Sequence, residues 1–204
     1  TCATLLSHHF RIATFSVLKH LAFRCPLALL STIGAGMLCM TSMSDDNYDI
    51  EFFWDPICPF AWVTSRWVEK VSLQTNYSVD WRFISLRILN KDKNYETDFP
   101  SGYEEGHTAG LRFLRAAAYV REEEGRTAMS ALYAAFGTHY WELDQRPGLR
   151  KQLGTVEHTK KCLETAKLPK SYAMAVDDPK WDVVIEDETE LALSRTGRDV
   201  GTPI

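Results

Sequence analysis

Polar and apolar residues alternate from Ile50 to Trp54, with Ile50, Phe52 and Trp54 on one side and Glu51 and Phe53 on the other. A period of two carried by aromatic side chains predicts a strand over 48–54. Asp55-Pro56 breaks it. From Pro59 the spacing becomes helical: Phe60, Val63, Trp67, Val68 and Val71 share one stripe. Pro59 suits the first helical position, where its missing N–H is not needed. Alternation returns over 78–86, where Val79, Trp81 and Phe83 share a face and predict a second strand. Strand, helix and strand at these lengths predict a βαβ unit with a parallel pair.

The pattern changes after Asn90. Residues 91–105 are polar and rich in turn formers. Helices are predicted over 109–123, with Leu111, Leu114 and Ala118 on one stripe, and over 126–142, with Met129, Leu132, Phe136 and Tyr140 on another. Further helices are predicted over 148–167 and 179–196. The acidic stretches Glu122 to Glu124 and Glu186 to Glu190 read as solvated faces.

The first 42 residues differ from the rest. They hold no acidic residue, and Arg11, Lys19 and Arg24 precede an apolar run from Pro26 to Met40. That order is signal-like, but the run is interrupted by Ser31, Thr32, Gly34 and Gly36 and falls short of the roughly 20 apolar residues of a membrane helix. At Met43 the composition turns abruptly to Met-Ser-Asp-Asp-Asn. We read residues 1–42 as non-native upstream sequence and Met43 as a start, which implies a cytoplasmic protein. A true signal would instead imply export.

Composition narrows the function classes. The chain has 204 residues, 45% hydrophobic and 25% charged, enough to bury one sizeable core. The net charge is -4 and no basic stripe is present, so nucleic acid is not an expected partner, and no membrane contact is expected of the body of the chain. The cysteines are Cys2, Cys25, Cys39, Cys58 and Cys162, an odd and sparse set that fits a reducing compartment better than a disulfide scaffold. His158 and Cys162 are four apart, yet no partner pair completes a zinc site, so no metal is expected. The chain has neither a glycine-rich phosphate loop nor a serine nucleophile elbow.

The chemistry concentrates in Trp54-Asp55-Pro56-Ile57-Cys58-Pro59-Phe60-Ala61-Trp62. Here a cysteine ends the loop after a strand and precedes the proline that opens a helix. First-turn N–H groups and the positive end of the helix dipole then meet the sulfur and favour thiolate, the nucleophilic form.

Asp55-Pro56-x-Cys58-Pro59-aromatic-x-Trp62 resembles the active-site loop of DsbA-like proteins. The run Trp62-Val63-Thr64-Ser65-Arg66-Trp67 is similar to the actinobacterial branch that includes the mycothiol-dependent nitroreductases. Ser85-Leu86-Arg87-Ile88-Leu89-Asn90, Leu132-Tyr133-Ala134-Ala135-Phe136-Gly137 and Asp199-Val200-Gly201-Thr202-Pro203 extend that likeness, which covers roughly Asp49 to Ile204. The resemblance implies an α/β thioredoxin-like fold: residues 43–90 as the first βαβ segment, 91–196 as a helical insertion, and 197–204 as the return to the core at a cis-proline loop. It implies Cys58 as the catalytic nucleophile. Pro59, Phe60, Trp62, Thr202 and Pro203 would bind the thiol or substrate, with Phe60 and Trp62 shaping the rim. Trp54, Tyr140 and Trp141 are further candidates for an apolar pocket.

Two departures matter. Ala61 stands where DsbA-like proteins carry the second cysteine, so an intramolecular dithiol cycle is not available. The expected route is a monothiol one: Cys58 forms a mixed disulfide that a low-molecular-weight thiol, mycothiol or glutathione, resolves. Cys162 as resolver is the weaker option. The family also continues beyond the cis-proline with a β-hairpin and a final helix, and we expect this chain to be truncated before them. The expected partners are a small thiol and a small-molecule or disulfide substrate, with no bound cofactor, and a homodimer is compatible. The rival readings are a kappa-type glutathione transferase or 2-hydroxychromene-2-carboxylate isomerase, which usually carry serine in place of Cys58, and a non-catalytic thioredoxin-like fragment.

Overall fold

The computed structural model describes residues 48–142, 149–198 and 202, with only the backbone described at 149 and 150. The reading of residues 1–42 and the cis-proline at Pro203 lie outside the described residues. Strand β1 (Ile50–Trp54) pairs in parallel with β2 (Val79–Phe83), in the register Ile50 to Val79 through Trp54 to Phe83. Helix α1 (Pro59–Thr75) is the crossover between them. Among the described residues these two strands form the whole sheet. The register stacks aromatic on aromatic. Phe52 meets Trp81 edge-to-face at 5.2 Å, and Trp54 meets Phe83 at 5.7 Å.

Both faces of the sheet are covered. Phe52, Trp54, Trp81 and Phe83 join the main core with Phe113, Leu114, Leu132, Tyr133 and Phe136. These come from α4 (Tyr103–Glu124) and α5 (Ala128–Gly137). Phe53 and Ile84 face the other way, onto Ala192 of α8 (Asp182–Thr196). Between the sheet and α4 lie two short helices, α2 (Leu86–Leu89) and α3 (Tyr95–Asp98). Ser85 and Asn94 cap them, their side chains accepting the Ile88 and Glu96 N–H groups. Helices α6 (Leu149–Gln152) and α7 (Val156–Thr165) follow α5, and 3₁₀ turns at Lys170–Asp177 and Pro179–Trp181 lead into α8.

Several predicted elements are redrawn. The helix predicted over 148–167 is two helices. Gly154 between them has φ of +64°, and a Cβ there would come within 2.5 Å of the Ala109 carbonyl oxygen, so the chain turns where α4 passes closest. Thr155 then starts α7 by accepting the His158 N–H. The helix predicted over 126–142 ends at Gly137 and continues as a π-helical turn, Thr138–Glu142. Helix α4 starts at Tyr103, inside the stretch predicted as turns. The buried face of α1 is also not the predicted stripe. Ala61, Trp62, Ser65 and Val68 face the core, while Phe60, Val63 and Trp67 are exposed. Trp62 sets that rotation. Its ring lies against Tyr133 at 5.7 Å and fills the space beside Gly137, where any Cβ would be 2.0 Å from it.

Glu188 corrects the solvated reading of 186–190. It is 6% exposed, accepts the Phe83 N–H at 2.8 Å and holds Arg121 at 2.9 Å.

Candidate functional site

Strand β1 delivers the chain to a tight loop, Asp55 to Cys58, before α1. Cys58 is the N-cap of α1, in extended conformation with φ of -78° and ψ of 114°. Its N–H donates to the Asp55 carbonyl at 3.1 Å and its own carbonyl accepts from Trp62 N–H at 3.1 Å. The sulfur accepts the Ala61 N–H at 3.4 Å. This is the bond a capping oxygen would ordinarily make, so the helix N-terminus directs an unshared donor at the thiol. The thiol also points at the Thr202 carbonyl, 3.5 Å away and 144 positions along the chain. Cys58 is 4% exposed.

The predicted site residues divide. Cys58 and Thr202 come together, and Pro59 opens the helix beneath the sulfur. Phe60 projects outward, 72% exposed. Trp62 is in the core, 7% exposed, under the Arg66 guanidinium at 4.1 Å. Trp54 and Tyr140 are also buried. Trp141 reaches the loop itself, its indole N–H donating to the Pro56 carbonyl at 3.3 Å.

Asp55 carries a role that the sequence reading passed over as a strand breaker. It is wholly buried. Its Oδ1 accepts the Ile57 N–H at 2.8 Å, and its Oδ2 accepts the Leu86 N–H at 2.7 Å. Burial raises its pKa to about 7, against the opposing pull of these two N–H donors. A signal was present: an aspartate two residues before its backbone donor is an Asx-turn pattern. Gly110 of α4 lies against the same loop, where a Cβ would come 2.9 Å from the Ile57 side chain and 3.0 Å from Asp55 Oδ1. Tyr133 stacks on Trp54 at 4.3 Å. Burial pushes its hydroxyl well above the usual tyrosine value, and the charges of Asp55 and Cys58 push the same way.

Cys162 has no part in this arrangement. It is fully buried on α7, and burial raises its thiol to about 12. His158 Nε2 lies 3.9 Å from it. Burial, followed by His139 and Lys161, lowers His158 to about 4, so it is neutral at pH 7. Among the described residues, no three histidine, cysteine or acidic side chains are placed to hold a metal ion. Nor is any helix among them long and apolar enough to cross a membrane.

A cysteine thus caps the crossover helix of a βαβ unit, with a backbone N–H aimed at its sulfur. Residues 57–204 match the Rv2466c-like family, described as mycothiol-dependent nitroreductase Rv2466c, and the chain belongs to that family. It is also 34% identical over 105 residues to the uncharacterized protein Rv2286c of Mycobacterium tuberculosis, a match covering 48% of this chain and 40% of that protein. The chain thus spans well under half the length of this curated relative.

Proposed function

We propose that the protein is a mycothiol-dependent oxidoreductase that works through Cys58 alone. The observation that carries this reading is the Cys58 sulfur at the α1 N-cap, accepting the Ala61 N–H, on a chain with no second cysteine in the loop. The Cys58 thiolate attacks one sulfur of a disulfide, forms a Cys58 mixed disulfide and releases the other half as a thiolate. An external thiolate then attacks the partner sulfur of the mixed disulfide. It leaves with that partner as a new disulfide and returns Cys58 to the thiolate. Mycothiol is the favoured external thiol, from the family, and the proposed setting is the cytoplasm.

In this reading the Ala61 N–H stabilises the anion on Cys58. Thr202 presents its carbonyl to the partner thiol, with Pro203 beside it in sequence. Pro59 fixes the helix start. Phe60, exposed at the mouth, contacts the substrate, and Trp62 supports the loop from beneath.

The test is intact mass and peptide mapping of the full chain after exposure to oxidised mycothiol, with oxidised glutathione in parallel. The expected result is one adduct on Cys58, removed by added mycothiol, and no adduct in Cys58→Ser. Ala61 also suits the transferase-like and isomerase-like relatives, which activate a bound thiol without attacking. Thiol-transfer activity retained in Cys58→Ser would select that class and sink the present proposal.

A further inference from the structure

We infer that Asp55 is the positioning residue of this site: its carboxylate clamps the Cys58 loop to the start of α2, and the state of that clamp sets the geometry in which Cys58 reacts. The inference rests on Cys58 as the nucleophile and adds a residue that acts on it through the backbone.

Each end of Asp55 takes part. Its carbonyl accepts the Cys58 N–H at 3.1 Å, which fixes the backbone of the nucleophile itself. Its Oδ1 accepts the Ile57 N–H at 2.8 Å, closing the turn between strand and helix. Its Oδ2 reaches across 31 positions to the Leu86 N–H at 2.7 Å. The loop that holds the sulfur is therefore tied to the segment leaving β2, and one carboxylate makes the tie. The surroundings leave it no alternative partner in water, because Asp55 is fully buried and Gly110 lets α4 close over it.

An ionised carboxylate accepts both N–H bonds at full strength, whereas a protonated one gives up acceptor capacity to its own O–H. The clamp is accordingly tight above neutral pH and looser below it, in step with the raised value of Asp55. The titratable groups whose charges act together with it are Cys58 on the same loop, Tyr133 on α5 and Tyr95 on α3. Helix α4 presents Gly110 at this point, and α2 presents the Leu86 backbone, with Arg87 next along the chain. Both tyrosines stay neutral near pH 7, since each is raised above the ordinary value of 10.0. The experiment separates the Asp55 signal from any Cys58 signal by following both in the same samples.

The experiment follows the Ile57 and Leu86 amide resonances of the full chain from pH 5.5 to 8.5, beside the alkylation rate of Cys58 read by peptide mapping. In the native protein both amides shift together near neutral pH, and the alkylation profile shows an inflection at the same point. Cys58→Ser keeps the amide shift, which assigns it to Asp55. In Asp55→Asn the shift disappears, the matching inflection is lost, and the rate at pH 8 falls by about tenfold or more, as expected for a misplaced reacting group. Leu86→Pro removes one donor at a first helical position that tolerates proline, after an extended Ser85, and moves the inflection to higher pH. Amides that do not titrate between pH 6 and 8, or an Asp55→Asn profile that overlays the native one, overturn the inference. These readouts do not depend on turnover. Failure of the Cys58 reading would appear separately, as activity retained in Cys58→Ser.

Discussion

At the scale of single residues, Cys58 and Cys162 share a low exposure and differ in what surrounds the sulfur. Cys58 sits on a helix N-terminus with a backbone donor aimed at it. Cys162 lies inside α7, and burial pushes its thiol to about 12. At pH 8 its thiolate is therefore scarce. We expect iodoacetamide to label Cys58 in the native chain and to leave Cys162 intact until denaturant is added. Equal labelling of the two in the folded protein would count against both assignments. The same contrast removes Cys162 as an intramolecular resolver and leaves release of a Cys58 mixed disulfide to an external thiol. Trp62 shows the residue scale from the packing side. Gly137→Ala places a methyl 2.0 Å from its ring, so Trp62 must move, and α1 and the Cys58 loop with it. A loss of about 1–3 kcal/mol in urea unfolding is expected, together with slower Cys58 alkylation.

Among elements, the junction of β2 with α8 buries charge. Glu188 accepts the Phe83 N–H at 2.8 Å, and Thr189 accepts the Ser85 N–H at 3.1 Å, so helix side chains satisfy the strand's end. Arg121 completes the set, its guanidinium bonded to Glu188 and lying 4.1 Å over the Phe83 ring. Glu188→Ala strands a buried guanidinium and a buried amide, and should cost about 3–5 kcal/mol in urea unfolding. Glu188→Gln keeps an acceptor and should cost less. Variants within about 0.5 kcal/mol of the native protein would show that the contact is idle. Glu188 was illegible in the sequence because its meaning comes from Arg121 and Phe83, 67 and 105 positions away. The strands were legible because aromatic alternation is local, and so was the placement of Cys58 at a helix start, whose signal lies in adjacent residues. The face of α1 was not, because small residues, Ala61 and Ser65, line the buried side while Phe60, Val63 and Trp67 keep the same period outside. The break at Gly154 depends on the approach of Ala109, and no periodicity reports that.

For the whole molecule, two buried groups oppose each other in the pH dependence of stability. Asp55 is raised to about 7, so between about pH 4 and 7 the folded chain holds a proton there that the unfolded chain has released. Its contribution to stability is full below the unfolded value and declines as pH rises through the folded one. At roughly 1.4 kcal/mol per unit, the decline is on the order of 4 kcal/mol. His158 is lowered to about 4 from an ordinary 6.5, so the unfolded chain holds the extra proton and stability rises with pH across that interval, on the order of 3 kcal/mol. His107 and His139 are also lowered by burial and act with His158. Between pH 4 and 6.5 the histidines therefore oppose the decline due to Asp55, and replacing Asp55 or His158 should expose the remaining trend. Measured by urea unfolding, the stability of Asp55→Asn relative to the native chain should climb as pH rises from 4 to 7 and level off above. That of His158→Gln should fall between pH 4 and 6.5. A constant offset for Asp55→Asn at every pH would mean that the carboxylate is ionised throughout, and would remove the pH dependence of the Cys58 clamp.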